Sequence, residues 1–268
     1  MPDVPDVPDV PDVPGRYIEA GGTRSYVEVH GAGEPLLLLH GGLETVEMLP
    51  DLTTALAERY RVVSPERRGH GRTADAPSRD GPPTYEALTY EAMAAETLAV
   101  MDALGIARAD IVGYSDGANI AMLLGMHAAQ RVRRLVLVSG NFHANGMTRA
   151  FRLGLRRATA ERYEPALAEA HRRLSPDGPE HWPVVFERVR QLWLDAPTLS
   201  ADELAAIEAP TLVLAGDRDL VTVEHTVALF RAIPGARLCI VPGGSHGLLT
   251  EQPELTSRVI LEFLGAGS

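Results

Sequence analysis

Three side chains in one chain order carry the chemistry of this sequence: a serine, then an aspartate, then a histidine. Ser115 stands in Gly113-Tyr114-Ser115-Asp116-Gly117, between a predicted strand and a predicted helix. A serine on so sharp a strand-to-helix turn is held in a strained backbone conformation, and the glycines two residues to either side relieve the crowding. The hydroxyl then stands clear of the sheet, at the positive end of the following helix. A hydroxyl is a poor nucleophile at neutral pH and needs a base. His246, within Gly243-Gly244-Ser245-His246-Gly247, follows the last predicted strand and is the candidate. The imidazole in turn needs an orienting carboxylate. Gly216-Asp217-Arg218-Asp219 directly follows the preceding strand; Asp219 is the first choice and Asp217 the reserve. The other aspartate of the pair is expected to shape the turn or pair with Arg218.

A serine attacking a carbonyl creates an oxyanion, which needs preorganised donors. One expected donor is the backbone N–H of Asp116, directly after the nucleophile. The other comes from His40-Gly41-Gly42-Leu43, with Gly42 favoured and Leu43 in reserve. His40 reads as a structural hydrogen-bonding group.

These residues need a frame that brings strand ends to one edge. Strands are expected over Tyr17–Ala20, Arg24–His30, Leu36–Leu39, Tyr60–Ser64, Asp110–Gly113, Leu135–Val138, Thr211–Ala215 and Leu238–Val241. Helical patterns fall between them, at Pro50–Arg59, Tyr90–Leu104, Ala118–His127, Glu224–Ile233 and Pro253–Leu264. Strands alternating with helices imply a parallel sheet covered on both faces. The alternation stops after Gly140. From Asn141 to about Ile207 the patterns are helical, as expected of a lid inserted over the carboxyl edge, where open α/β sheets bind ligands. The core is therefore expected over residues 15–140 and 208–268, and the cap over 141–207. Residues 1–14, with Pro-Asp-Val repeated four times, read as a disordered, extended tail.

Composition narrows the partners. The chain has 268 residues, with 25 basic against 36 acidic residues and a net charge of -11. Such a balance repels phosphate backbones and anionic lipid, so a small-molecule substrate is expected rather than nucleic acid or a membrane. Every basic residue apart from histidine is arginine. The apolar runs are far too short for a membrane span, and the N-terminus lacks the pattern of a signal peptide, so the cytoplasm is the expected compartment. The histidines show no zinc-site spacing, and no helix opens after Gly31-Ala32-Gly33 to make a dinucleotide loop. No metal and no cofactor are expected. Cys239, the single cysteine, reads as a small hydrophobe in a strand.

The landmarks together resemble the α/β-hydrolase superfamily: His40-Gly41-Gly42, Arg68-Gly69-His70-Gly71-Arg72-Thr73, the Ser115 elbow, Gly216-Asp217-Arg218-Asp219 and Gly244-Ser245-His246-Gly247. The resemblance runs from about Gly15 to Leu264. It implies an α/β-hydrolase fold, a mostly parallel sheet of about eight strands with helices on both faces and an inserted helical lid. In such relatives the Arg-Gly-His-Gly stretch follows an aspartate; here Glu66 takes that place, a mild departure. Serine at the elbow points away from epoxide hydrolase and haloalkane dehalogenase chemistry, which uses a carboxylate nucleophile. Ser115-Asp116-Gly117 is similar to a subset of small esterases and aminoacyl-ester hydrolases. The Asp116 carboxylate either faces the N–H groups of the first helical turn or biases the site towards cationic substrates.

The expected activity is hydrolysis of a small or medium carboxylic ester through an acyl-enzyme on Ser115. His246 serves as base and then acid, and Asp219 as its orienting acid. The same triad also serves C–C bond hydrolysis, lactone opening, amide cleavage and cofactor-free perhydrolysis or haloperoxidation. A different class, a non-catalytic ligand receptor on the same fold, is expected to have lost part of the triad. Candidate pocket residues are Leu43, Tyr114, Phe142, Phe151, Trp182, Phe186 and Trp193, with most of the lid aromatics expected in the lid core.

Overall fold

The computed structural model describes residues 15–75 and 88–265; the Pro-Asp-Val repeat lies outside the described residues. Eight strands form one sheet: β1 (Gly15–Ala20), β2 (Thr23–His30), β3 (Glu34–Leu39), β4 (Tyr60–Pro65), β5 (Ala109–Tyr114), β6 (Val132–Val138), β7 (Thr211–Gly216) and β8 (Arg237–Val241). Their order is β1-β2-β4-β3-β5-β6-β7-β8. β1 with β2 and β2 with β4 are antiparallel; every later pairing is parallel. The helices are α1 (Pro50–Ala57), α2 (Tyr90–Ala103), α3 (Asp116–His127), α4 (Arg149–Leu155), α5 (Pro165–Leu174), α6 (Trp182–Asp195), α7 (Ala201–Leu204), α8 (Val223–Ala232), α9 (Leu248–Glu251) and α10 (Pro253–Gly265).

The run of leucines in β3 shows why the strands are apolar on both faces. Leu37 and Leu39 pack into a core with Met93, Met101, Ile120 and Leu229, from α2, α3 and α8. Leu36 and Leu38 point the other way, towards Leu52, Leu56, Ile260 and Leu264 of α1 and α10. Period-two alternation thus serves two cores at once. Between β6 and β7 the chain is helical, apart from the isolated bridges His143 to Thr198 and Met147 to Val221. Trp182, Val185, Phe186 and Val189 of α6 join the first core, so this segment packs as part of the same body. No described helix is long and apolar enough to cross a membrane.

Strand register sets the position of the loops that carry the candidate residues. Leu39 of β3 lies beside Gly113, Tyr114 of β5 beside Val138, and Gly216 of β7 beside Val241. The carboxyl ends of β3, β5, β6, β7 and β8 are level. Gly42, Ser115, Ser139, Asp219 and His246 lie just beyond them.

Candidate active site

Ser115 has φ 54° and ψ -117°, in the region that disfavours residues with a Cβ. The strain is held by bonds on either side: Ser115 N–H donates to Val138 O at 2.8 Å, and its carbonyl accepts from Ala118 N–H at 2.9 Å. A Cβ on Gly113 would lie 2.3 Å from Gly117 O, and one on Gly117 would lie 2.1 Å from Leu39 O. The helix α3 therefore starts at Asp116, two residues before the expected Ala118. Only glycine lets it close so near the sheet.

His246 Nε2 lies 3.0 Å from Ser115 Oγ, and His246 Nδ1 lies 2.7 Å from Asp219 Oδ1. Asp219 is buried. Its Oδ2 accepts from Ser139 Oγ at 2.5 Å, and its Oδ1 also accepts from Val221 N–H. Burial pushes this carboxyl up, but the bonds from His246, Ser139 and Val221 outweigh it and hold it below its ordinary value. Burial pushes the His246 imidazole down. Its bond to Asp219 and the charges of Asp219, Glu44 and Asp116 outweigh that and raise it. Asp217 does not reach the histidine; it accepts from Gly243 N–H at 2.7 Å and shapes the turn. The two turns meet because a Cβ on Gly216 would lie 2.0 Å from Gly244 O, while Arg218 N–H donates to that same oxygen.

Gly42 and Asp116 both line the cavity above Ser115. No hydrogen bond among the described residues uses the N–H of either, so both are free to receive an oxyanion. Leu43, with φ 60°, is buried and does not line the cavity. The loop bearing Gly42 is fixed from behind by buried Arg67, which donates to His40 O and Gly41 O at 2.5 and 2.6 Å. His40 accepts Arg67 N–H on Nε2 and lies against Gly41 O through Nδ1, a structural arrangement. Glu66, at the departure from the usual aspartate, accepts Arg72 N–H and its guanidinium.

The Asp116 carboxylate does not bond the N–H groups of the first helical turn; side-chain donors take its oxygens. Its Oδ1 accepts Tyr90 Oη–H at 2.8 Å, and both oxygens accept Trp193 Nε1–H. It is 2% exposed, and burial raises its pKa against the Arg67 charge and these two donors.

The cavity has a volume of about 530 Å³. Of the aromatic candidates, Tyr114, Phe151 and Trp193 line it. Phe142, Trp182 and Phe186, like Leu43, do not. Phe142 stacks on His225 of α8, with centroids 4.0 Å apart. Trp182 is buried and donates to Ala160 O, and Phe186 is wholly buried against Tyr163 and Trp182. Helical spacing gave the same signal for the core-facing and cavity-facing sides of the lid. Sequence reasoning missed Glu44, Asn141, Tyr163 and Val221 in the lining and Ser139 behind Asp219. Glu44 carried a signal, standing two residues after Gly42.

Fold and geometry together define a hydrolase class built around a serine, an imidazole and a carboxylate. A model described as the Alpha/beta hydrolase family matches residues 36–259, and the chain belongs to that family. It is 29% identical to a protein of Azorhizobium caulinodans carrying the provisional name carbamate hydrolase RutD, over 93% of this chain and 98% of the other. It is 28% identical to a 2-hydroxymuconate semialdehyde hydrolase of Pseudomonas putida, over 93% and 94%. Among solved structures it is similar to the meta-cleavage product hydrolase CumD of Pseudomonas fluorescens IP01. There the TM-score is 0.77 at 25% identity, covering 95% of this chain and 98% of that one.

Proposed function

We propose that this protein hydrolyses a small or medium carboxylic ester through an acyl-enzyme on Ser115. The observation that carries the reading is the chain of contacts from Ser115 Oγ through His246 to Asp219, at 3.0 and 2.7 Å, at the wall of a 530 Å³ cavity. His246 Nε2 takes the hydroxyl proton as Oγ bonds to the acyl carbon. The Gly42 and Asp116 amides hold the oxyanion. The C–O bond then breaks, and the alcohol leaves with the proton from His246. Water, giving its proton to the same nitrogen, attacks the acyl carbon and frees the acid and Ser115.

A second reading is C–C bond hydrolysis, on a substrate like the 2-hydroxymuconate semialdehyde named for the P. putida relative. Muconate is a carboxylate, and an Arg or Lys is the usual partner for one in a desolvated site. Among the described residues neither lines this cavity, and it presents Glu44 and Glu164. That charge balance supports the ester over the carboxylate-bearing semialdehyde. The test is a burst assay with p-nitrophenyl butyrate on the wild type and Ser115→Ala. Turnover that vanishes in the variant supports the reading. A folded wild type that binds a fluorophosphonate but leaves esters untouched overturns it in favour of carbon–carbon or lactone chemistry.

A further inference from the structure

The charge lining the cavity is one-sided. Its carboxylates are Glu44, Asp116 and Glu164, and no arginine among the described residues lines it. Asp116 has spent both oxygens on Tyr90 and Trp193. Glu44 has not. Its Oε2 accepts Gly41 N–H at 2.9 Å, and no hydrogen bond among the described residues reaches Oε1. The residue stands two positions after Gly42, and both line the cavity that holds Ser115 and His246. Glu164, at the start of α5, adds a second carboxylate from the cap.

We propose that Glu44 is a specificity-determining residue that selects esters carrying a cationic substituent, an ammonium or protonated amine. The inference rests on the ester-hydrolase reading of Ser115. A carboxylate in a water-poor cavity attracts a cation far more strongly than it would in bulk water, and the net charge of -11 adds a field of the same sign.

The groups facing Glu44 make this preference depend on pH. They are His246 after β8, Arg67 after β4, Tyr114 and Asp116 on either side of Ser115, and Tyr163 from the cap. Burial pushes the Glu44 carboxyl up to about 7, helped by Asp116 and opposed by Gly41 N–H, His246 and Arg67. The carboxyl is neutral below that pH and charged above it. Selectivity for a permanent cation therefore rises as pH rises through 7.

The test uses two pairs of isosteric esters whose cation cannot titrate. Butyrylcholine against 3,3-dimethylbutyl butyrate probes the alcohol side. The p-nitrophenyl esters of 6-(trimethylammonio)hexanoate and 7,7-dimethyloctanoate probe the acyl side. The readout is the ratio of kcat/KM within each pair, from pH 6 to 9, for the wild type and Glu44→Gln. The ratio cancels the ionisation of His246 and any general loss in the variant. In the wild type, at least one pair is expected to favour the cation about tenfold at pH 8, less at pH 6. In Glu44→Gln that preference falls towards unity and becomes flat with pH. If both neutral esters turn over but neither ratio exceeds unity, or if the ratio is unchanged in Glu44→Gln, the inference is wrong while the ester reading stands. If no ester of either charge turns over, the ester reading fails and takes the inference with it.

Discussion

Trp193 Nε1–H donates to both carboxylate oxygens of Asp116, at 2.9 and 3.1 Å. One partner belongs to helix α6; the other follows Ser115, the proposed nucleophile, and offers the proposed oxyanion amide. The bond ties the roof of the cavity to its floor, and Tyr90 of α2 completes the tie from the core side.

Trp193→Phe keeps a ring in the cavity wall and removes the donor. A hydrogen bond to a buried charged group contributes about 2 kcal/mol. The variant should therefore melt about 5 °C lower, read by calorimetry. Its kcat on p-nitrophenyl butyrate should fall about tenfold, because the Asp116 backbone loses one of its two anchors.

Gly42→Ala sets a Cβ 2.4 Å from Asp116 Oδ2 and 2.5 Å from the Trp193 ring. Neither neighbour can give way without breaking the bond between them. The expected outcome is a folded protein whose kcat falls about a hundredfold through the oxyanion site. Circular dichroism beside the burst assay checks both halves.

Asp219→Asn should lower kcat about ten thousandfold, since the amide cannot stabilise the His246 cation. Asp217→Asn should retain wild-type turnover, because Asp217 holds only the Gly243 turn. The pair of rate constants checks which aspartate serves the histidine.

The proposed reaction needs neutral His246, whose pKa is raised above 6.5. The acid limb of kcat/KM for a neutral ester should therefore have its midpoint above pH 6.5. Glu44→Gln removes one of the charges that raise it, so the limb should move to lower pH. The stability of this variant should run the opposite way. The Glu44 carboxyl has a folded pKa raised above 4.5, to about 7. Its contribution is present at low pH and lost as pH rises through 7. Glu44→Gln should thus gain stability relative to wild type above pH 7, checked by melts at pH 5 and 8.

Asp75 lies in the loop after β4. Its buried carboxylate meets Arg188 and His181 from the cap segment, and its N–H donates to Asp177. Removing one partner of a buried ion pair costs about 3 kcal/mol or more. Asp75→Ala should show that loss in urea denaturation, while Arg172→Ala, on an exposed pair with Glu169, should cost under about 0.5 kcal/mol.

The sequence by itself determined the alternation of strands and helices, the elbow at Ser115, and the loops from which His246 and an aspartate had to come. These are local properties. Apolar period, glycine and chain order are written in neighbouring residues, and level strand ends do the rest. What lies between distant residues was decided only by the tertiary structure. Asp219 and Asp217 are two residues apart with the same chemistry, and only the close approach of Gly216 to Gly244 selects between them. Trp182 and Trp193 share one amphipathic helix. One donates to Ala160 O in the core, and the other closes the cavity over Asp116. A helical repeat states that a face is apolar, not whether another side chain or a substrate covers it. Glu44 showed only its place two residues after Gly42: a carboxylate acquires its character from what surrounds it, and here His246, Arg67 and Asp116 come from three separate parts of the chain.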